Sequence, residues 1–436
     1  MKKIITRRSF IRTSAGIAGM SSLGIPYLAE AKATINLTGW AFAPELVREN
    51  LDRFESMVPG YKVKMMMFAP ADFVTRMVAL ATADQLNDVL YVRAETLEAW
   101  VRAEFLQSID EISGIEEIKE DLIPFVRQGM TVDNKLYGLP YYTDIQVLYY
   151  NKDIINKAGF DAPPKSLNEL KNQCLKIQKL KLLEYPLVYG FKKAGWSNMD
   201  WWTSVFASGG RLFDDQLDPM FPARDKTALE VLNWMVDSVN KWKITDPASV
   251  ELDVNQVRDL FGSGRYAFVM GHRYDESRYN NPERASASGN IKMGLIPSLD
   301  GTTHGTFGIV RMYSLAKNLS NKDGCISLLN YLGYKDTKGL YHTAANWYKK
   351  YTLGYGVKGL DSDPELQSIF DKYGNGSIKR KLASVAKVTE LQRAPWGAEW
   401  ESYNYDQIQA AISGGKTPLE ALEASAKRAI ELKKGY

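Results

Sequence analysis

From Ile35 to Phe105 the apolar pattern alternates between a period of two and a period of 3.6 residues, and this restricts the fold more than any other feature of the chain. Ile35 to Phe42 (INLTGWAF) reads as a strand that opens into a loop. A helix starts at Pro44, sets Val47, Leu51, Phe54 and Val58 on one face, and stops at Pro59-Gly60. Tyr61 to Phe68 is a second strand, Asp72 to Thr82 a helix, Asp88 to Val92 (DVLYV) a short buried strand, and Thr96 to Phe105 a helix. Parallel strands need such helical crossovers, so this β-α-β-α-β order predicts an α/β lobe with a largely parallel sheet.

The texture then changes. Lys135 to Pro140 leads into a strand at Gln146 to Asn151, and Pro163-Pro164 breaks the chain before a capping box, Ser166 to Glu169, that starts a long helix. Ile291 to Ile296 and Ile309 to Leu315 read as strands, with turn-rich sequence from Pro297 to Gly305 between them. Lys322 to Leu332 is a helix, and a second capping box, Thr417 to Glu420, opens the last one. Some 400 residues exceed what one core organises, so two lobes are expected.

The first 33 residues read as an export signal. A basic start with Arg7-Arg8-Ser9-Phe10-Ile11-Arg12 resembles the twin-arginine motif. A mildly apolar Ala/Gly/Ser stretch follows, with A-x-A sites ending at Ala31 and Ala33. No cysteine stands near these sites, so no lipid anchor is expected, and the mature chain is expected in a periplasm. This segment carries a net charge of +5 against +4 for the whole chain, leaving about −1 for the remainder. The basic balance therefore gives no footprint for nucleic acid. The two cysteines, Cys174 and Cys325, are too few for a disulfide framework, and two buried thiols are expected.

The sequence carries few signatures of reactive chemistry. His272, His304 and His342 show no metal-ligand spacing with each other or with cysteine, so neither a metal nor a cofactor is expected. Gly262-Ser263-Gly264-Arg265-Tyr266-Ala267 matches a dinucleotide fingerprint in form, but a strand follows where a helix N-terminus is needed. A P-loop and a nucleophile elbow are both missing. What recurs is aromatic and charged residues just beyond strands, where open α/β sheets bind ligands. Trp40 and Phe42 end the first strand, Arg93 follows the third, and Tyr142 and Asp144 follow Pro140. Trp196 lies before Gly210; His272 and Arg273 follow the YAFVM run; Phe307, Trp396 and Trp400 complete the set. Rings that cover sugar C–H faces beside Asp and Arg that bond hydroxyls suit a carbohydrate site.

Several segments carry a resemblance. Tyr137-Gly138-Leu139-Pro140, Leu148 to Asp153, Ala158-Gly159 and Pro163 to Leu170 resemble extracellular solute-binding proteins of the sugar ABC-importer family, of the maltose-binding type. Ala207 to Gly210, Phe213-Asp214-Asp215, Phe261 to Phe268 and Gly414 to Leu422 continue it in order along the chain. The resemblance implies a type II-like periplasmic-binding fold, two hinge-linked α/β lobes closing on a ligand. Residues 34–140 with 303–375 would form one lobe and 141–302 with 376–436 the other. It further implies a monomeric, non-enzymatic carbohydrate binder that delivers an oligosaccharide or sugar derivative to an ABC permease after passage through the twin-arginine machinery. Asn87 stands where the family has proline, and His272-Arg273-Tyr274 where it often has tryptophan. The second departure favours a strongly polar or anionic ligand. Two alternatives stay open at this point: a polyamine bound through Asp144, Asp200 and Glu399, and an exported glycan-cleaving enzyme with paired carboxylates.

Overall fold

A computed structural model describes residues 33–69, 72–192 and 197–436. The export signal up to Lys32, and Trp196, lie outside these residues, while Ala33, the last residue of the second A-x-A site, is the first of the described chain.

The βαβ alternation forms as read. β1 (Ala33–Trp40), α1 (Pro44–Met57), β2 (Tyr61–Phe68), α2 (Phe73–Thr82), β3 (Val89–Arg93) and α3 (Ala94–Arg102) follow in order. β1 pairs in parallel with β2 on one side and β3 on the other. Ile35, Leu37, Val89, Leu90 and Val92 are buried to within 2%, on both faces of this sheet, and Leu51 and Phe54 of α1 are fully buried. Each such side chain contributes roughly 1.5–3 kcal/mol by leaving water.

Asp88 fixes this layer. It is fully buried and accepts from Asn36 N and Nδ2, both at 2.8 Å, and from Ser320 N at 2.6 Å and Oγ at 2.9 Å. Burial alone raises its pKa, but these bonds outweigh burial and hold it below the usual value. The loop before β3 is thereby tied to β1 and to a segment more than two hundred residues downstream.

Two long strands carry the chain across the molecule, β4 (Leu139–Asn151) and, past β5 (Phe268–His272) and β6 (Ile291–Gly294), β7 (Thr306–Ala316). Among the described residues a ten-stranded sheet runs β2-β1-β3-β7-β4-β5 and ends on the two-residue strand Leu187–Val188. From Leu139 to Ile145, β4 pairs antiparallel with β7; from Gln146 to Tyr150 it pairs with β5, and from Leu148 to Asn151 also with β6. One strand thus belongs to both halves of the sheet and changes partner between Ile145 and Gln146. A third passage lies beside it, where Thr143 N bonds Gly354 O at 2.7 Å.

The second half is layered with helices. α4 (Leu167–Lys179) starts at Ser166, whose Oγ accepts from Glu169 N at 3.0 Å; Glu169 reaches back to Lys165 N rather than closing a box on Ser166. α5 (Ser197–Ala207) packs against β7. α6 (Val254–Gly262) precedes β5, so the Gly262 motif is a helix-to-strand turn, with Gly264 at φ +83°. α7 (His342–Tyr351) covers the first half. α8 (Gly397–Ile412) and α9 (Pro418–Gly435) close the second, α9 opening on the Thr417/Glu420 capping box. Cys174 and Cys325 are both buried free thiols. No helix among the described residues is long and apolar enough to cross a membrane.

Candidate functional site

Alternation along β4 sets Tyr142, Asp144 and Gln146 on one face at the place where the strand changes partner. Register then brings β7 and β3 alongside: Ile309 stands opposite Asp144, Arg311 opposite Tyr142, and Arg93 opposite Arg311. The C-terminal ends of β1 and β3 supply Trp40, Tyr91 and Arg93 to this face, and the end of β5 supplies His272 and Arg273.

Asp144 is at the centre and fully buried. Its carboxylate lies 3.1 Å from His272 Nδ1 and 3.5 Å from Arg273 Nε. Neither contact has hydrogen-bond geometry, so charge is balanced while both oxygens keep acceptor capacity. Arg273 is anchored by a 3.2 Å bond from Nη2 to Thr143 O, and the His272 ring stacks on Tyr274 at 5.1 Å. Deeper, Asp275 neutralises Arg258 at 2.8 Å.

Further buried polar atoms around Asp144 find no hydrogen-bond partner among the described residues: Tyr91 Oη, Gln146 Oε1, Trp202 Nε1 and Thr203 Oγ1. Leaving a buried polar group unmade costs about 1–3 kcal/mol, and such groups are few in folded proteins. Beside them Asp200 has its pKa pushed up to about 7 by burial, partly offset by a bond from Gln146.

On the other flank an ion network replaces the aromatic pattern. Arg311, almost completely buried, donates through Nη1 to Glu95 Oε2 at 2.8 Å, and Arg93 Nε lies 3.7 Å from the same oxygen. Burial raises the Glu95 pKa, but Arg311 and Arg93 bring it net below the usual carboxylate value. Glu401 of α8 approaches from the second half of the molecule; burial, then Glu95, push its pKa up to about 7 against the pull of Arg93 and Arg311.

The predicted site residues divide. Trp40, Phe42, Arg93, Tyr142, Asp144, His272 and Arg273 gather on this face. Trp40 stacks on Tyr91 at 5.1 Å and on Tyr142 at 6.4 Å, and Phe42 packs on Trp347 and Tyr351. Phe307 is buried against Trp202 and Phe206 at 5.5 and 6.3 Å. Trp396 and Trp400 are core residues: Trp396 packs on Phe213, and Trp400 packs on Phe213 and Phe221 and donates Nε1 to Ser425 O at 2.9 Å. Their sequence position gave no hint that both lie on the buried side of a helix end. Gly210 is wedged against Val205 and Thr227 and borders a separate cavity of about 1090 Å³ that none of the other predicted residues lines. Glu399 is an exposed partner of Arg428. Tyr91, Glu95, Gln146, Arg311 and Glu401 were not anticipated. A lone Arg311 inside the apolar run from Ile309 to Leu315, and Gln146 opening a buried strand, were the available signals.

Among the described residues no group of three or more His, Cys, Asp or Glu could hold a metal.

Comparison with known proteins places this geometry. A family model described as bacterial extracellular solute-binding protein matches residues 40–338. The mannitol-binding protein of Pseudomonas aeruginosa is 24% identical over 250 residues, covering 56% of each chain. Maltose-bound MalE3 of T. maritima superposes with a TM-score of 0.77 at 19% identity, over 92% of this chain and 99% of that one. An ABC transporter solute-binding protein of Agrobacterium vitis S4 with bound D-mannitol gives 0.70 at 21% identity, over 92% and 99%. The likeness to these solved structures is one of fold: two α/β lobes joined by crossing strands. The chain belongs to the family of bacterial extracellular solute-binding proteins.

Proposed function

We propose that this protein binds a carbohydrate, a sugar or a polyol, between its lobes and delivers it to an ABC permease in the periplasm. Lobe 1 comprises residues 34–140 with 303–375 and lobe 2 comprises 141–302 with 376–436; the leader sends the chain out through the twin-arginine route, and it acts as a monomer. The observation that carries this reading is Asp144, fully buried where the crossing strand changes partner, with both oxygens still able to accept. Vicinal hydroxyls donate to such a carboxylate, and a polyhydroxyl ligand also meets the orphaned atoms of Tyr91, Gln146, Trp202 and Thr203. Trp40 and Phe42 remain partly exposed to cover a C–H face. The names and titles of the relatives, mannitol and maltose among them, fit this chemistry.

Charge matching selects against the polyamine alternative. Arg273 answers Asp144, Arg311 and Arg93 answer Glu95, and Arg258 answers Asp275. A polyamine would find no surplus of negative charge here. A carbohydrate panel in a thermal-shift assay tests the reading, because a ligand bound only by the folded state raises Tm. Asp144→Asn is expected to weaken binding about 10- to 100-fold, the range for a bond to a charged group. An unchanged affinity in that variant, or a shift by polyamines and by no carbohydrate, would sink the proposal.

A further inference from the structure

We infer that the site takes one neutral polyhydroxyl unit, a monosaccharide or a hexitol, rather than an oligosaccharide; this rests on the carbohydrate reading above. Three independent observations point the same way.

One flank of Asp144 is closed by direct contact between the lobes. Thr352, which ends α7, donates through Oγ1 to Tyr274 O at 3.2 Å, and its hydroxyl also meets Ser277 Oγ at 3.2 Å. Arg273 fills the space beneath. A Cβ on Gly354 would stand 1.6 Å from Arg273 Nη2, so even a methyl group has no room there. The opposite flank is occupied by the Arg311–Glu95 ion pair, with Glu401 arriving from the other lobe. An extended chain of sugar rings would have to displace paired charges at one end or break lobe-to-lobe hydrogen bonds at the other.

The second observation concerns stacking surface. An oligosaccharide needs a run of aromatic platforms, one beneath each ring. Of the six described rings that the sequence marked, Tyr142, Phe307, Trp396 and Trp400 are buried, and only Trp40 and Phe42 keep partial exposure. Those two lie side by side with centroids 6.1 Å apart, which makes one platform. The third is the orphaned set itself. Tyr91, Asp144, Gln146, Trp202 and Thr203 belong to three elements, β3, β4 and α5, that all pack against β7, so their unmet bonds address one compact cluster of hydroxyls.

Calorimetry of the purified mature protein against D-mannitol, D-glucitol, D-glucose, maltose and maltotriose tests this. The expected result is binding of at least one single-unit ligand, at least tenfold tighter than either oligosaccharide. Tighter binding of maltose or maltotriose than of every single unit overturns the size assignment and leaves the carbohydrate reading standing. No binding by any of the five overturns both. Ser277→Ala, which removes one lobe-to-lobe contact at the sealed flank and folds with only a small change in packing, should narrow the gap between single-unit and longer ligands. Retention of the full discrimination in that variant counts against the seal as its source.

Discussion

The molecule holds two aromatic clusters that look alike in sequence and differ in physical state. In one, Trp201, Trp396, Trp400, Phe213 and Phe221 interlock, every ring is buried, and the Trp201 and Trp400 indoles are bonded to Ala228 O and Ser425 O. In the other, Trp40, Phe42, Tyr91 and Tyr142 meet at the ends of β1, β3 and β4, two of the rings stay partly exposed, and the Tyr91 hydroxyl is left unmade. The first cluster resembles any well-packed core. The second combines apolar faces with unsatisfied polar edges, which a core avoids and a ligand site needs. Ring count therefore says nothing about binding; hydrogen-bond completeness does.

Truncation should separate the two. Trp400→Ala removes the hub of the closed cluster and is expected to cost about 3–5 kcal/mol of stability, read by urea unfolding, with ligand affinity unchanged in the fraction that remains folded. Trp40→Ala is expected to lower ligand affinity about tenfold while costing only about 1–2 kcal/mol, since its ring is already partly exposed. Equal stability losses for the two variants would erase the distinction.

Acidity sharpens it further. Asp200, with a folded-state pKa near 7 against an ordinary value of 3.8, binds a proton in the folded chain that the unfolded chain has released. Its effect is absent below about pH 4. Stability then falls as pH rises through the interval up to about 7, and the deficit is complete above it. Asp200→Asn should remove that decline and raise stability at pH 8 by on the order of 1–3 kcal/mol. A wild-type and variant pair with parallel Tm profiles between pH 4 and pH 8 would contradict it. The smallest effect is expected at the surface, where Glu399→Ala breaks the exposed pair with Arg428 and should change stability by no more than about 0.5 kcal/mol and affinity not at all.

How far these features were legible follows from the same division. The first βαβ run was readable because periodicity and the stop at Pro59-Gly60 are local signals, and β2 falls on the predicted residues. β4 was read only from Gln146 onward. Its first half, Leu-Pro-Tyr-Tyr-Thr-Asp, mixes a proline with polar residues and becomes a strand through pairing with β7, which no local pattern reveals. Asp144, His272 and Arg273 could be singled out because they follow recognisable strand and loop motifs, and the structure brings the three together. Trp396 and Trp400 were misjudged because an aromatic pair at a helix start looks the same whether the helix turns that face to a cleft or to Phe213. Arg311 and Glu95 were missed because each gains its meaning from a partner more than two hundred residues away.

The strand shared by both halves of the sheet has a mechanical corollary. Asp144 stands two residues from Gln146, where backbone pairing passes from one lobe to the other. If the two halves rotate about this strand, as the proposed function requires, a group so near the fulcrum travels little while the outer surfaces sweep through long arcs. Under that proposal a sub-ångström adjustment around one carboxylate would be geared up into a far larger displacement at the periphery, with the surroundings of Asp144 nearly unchanged.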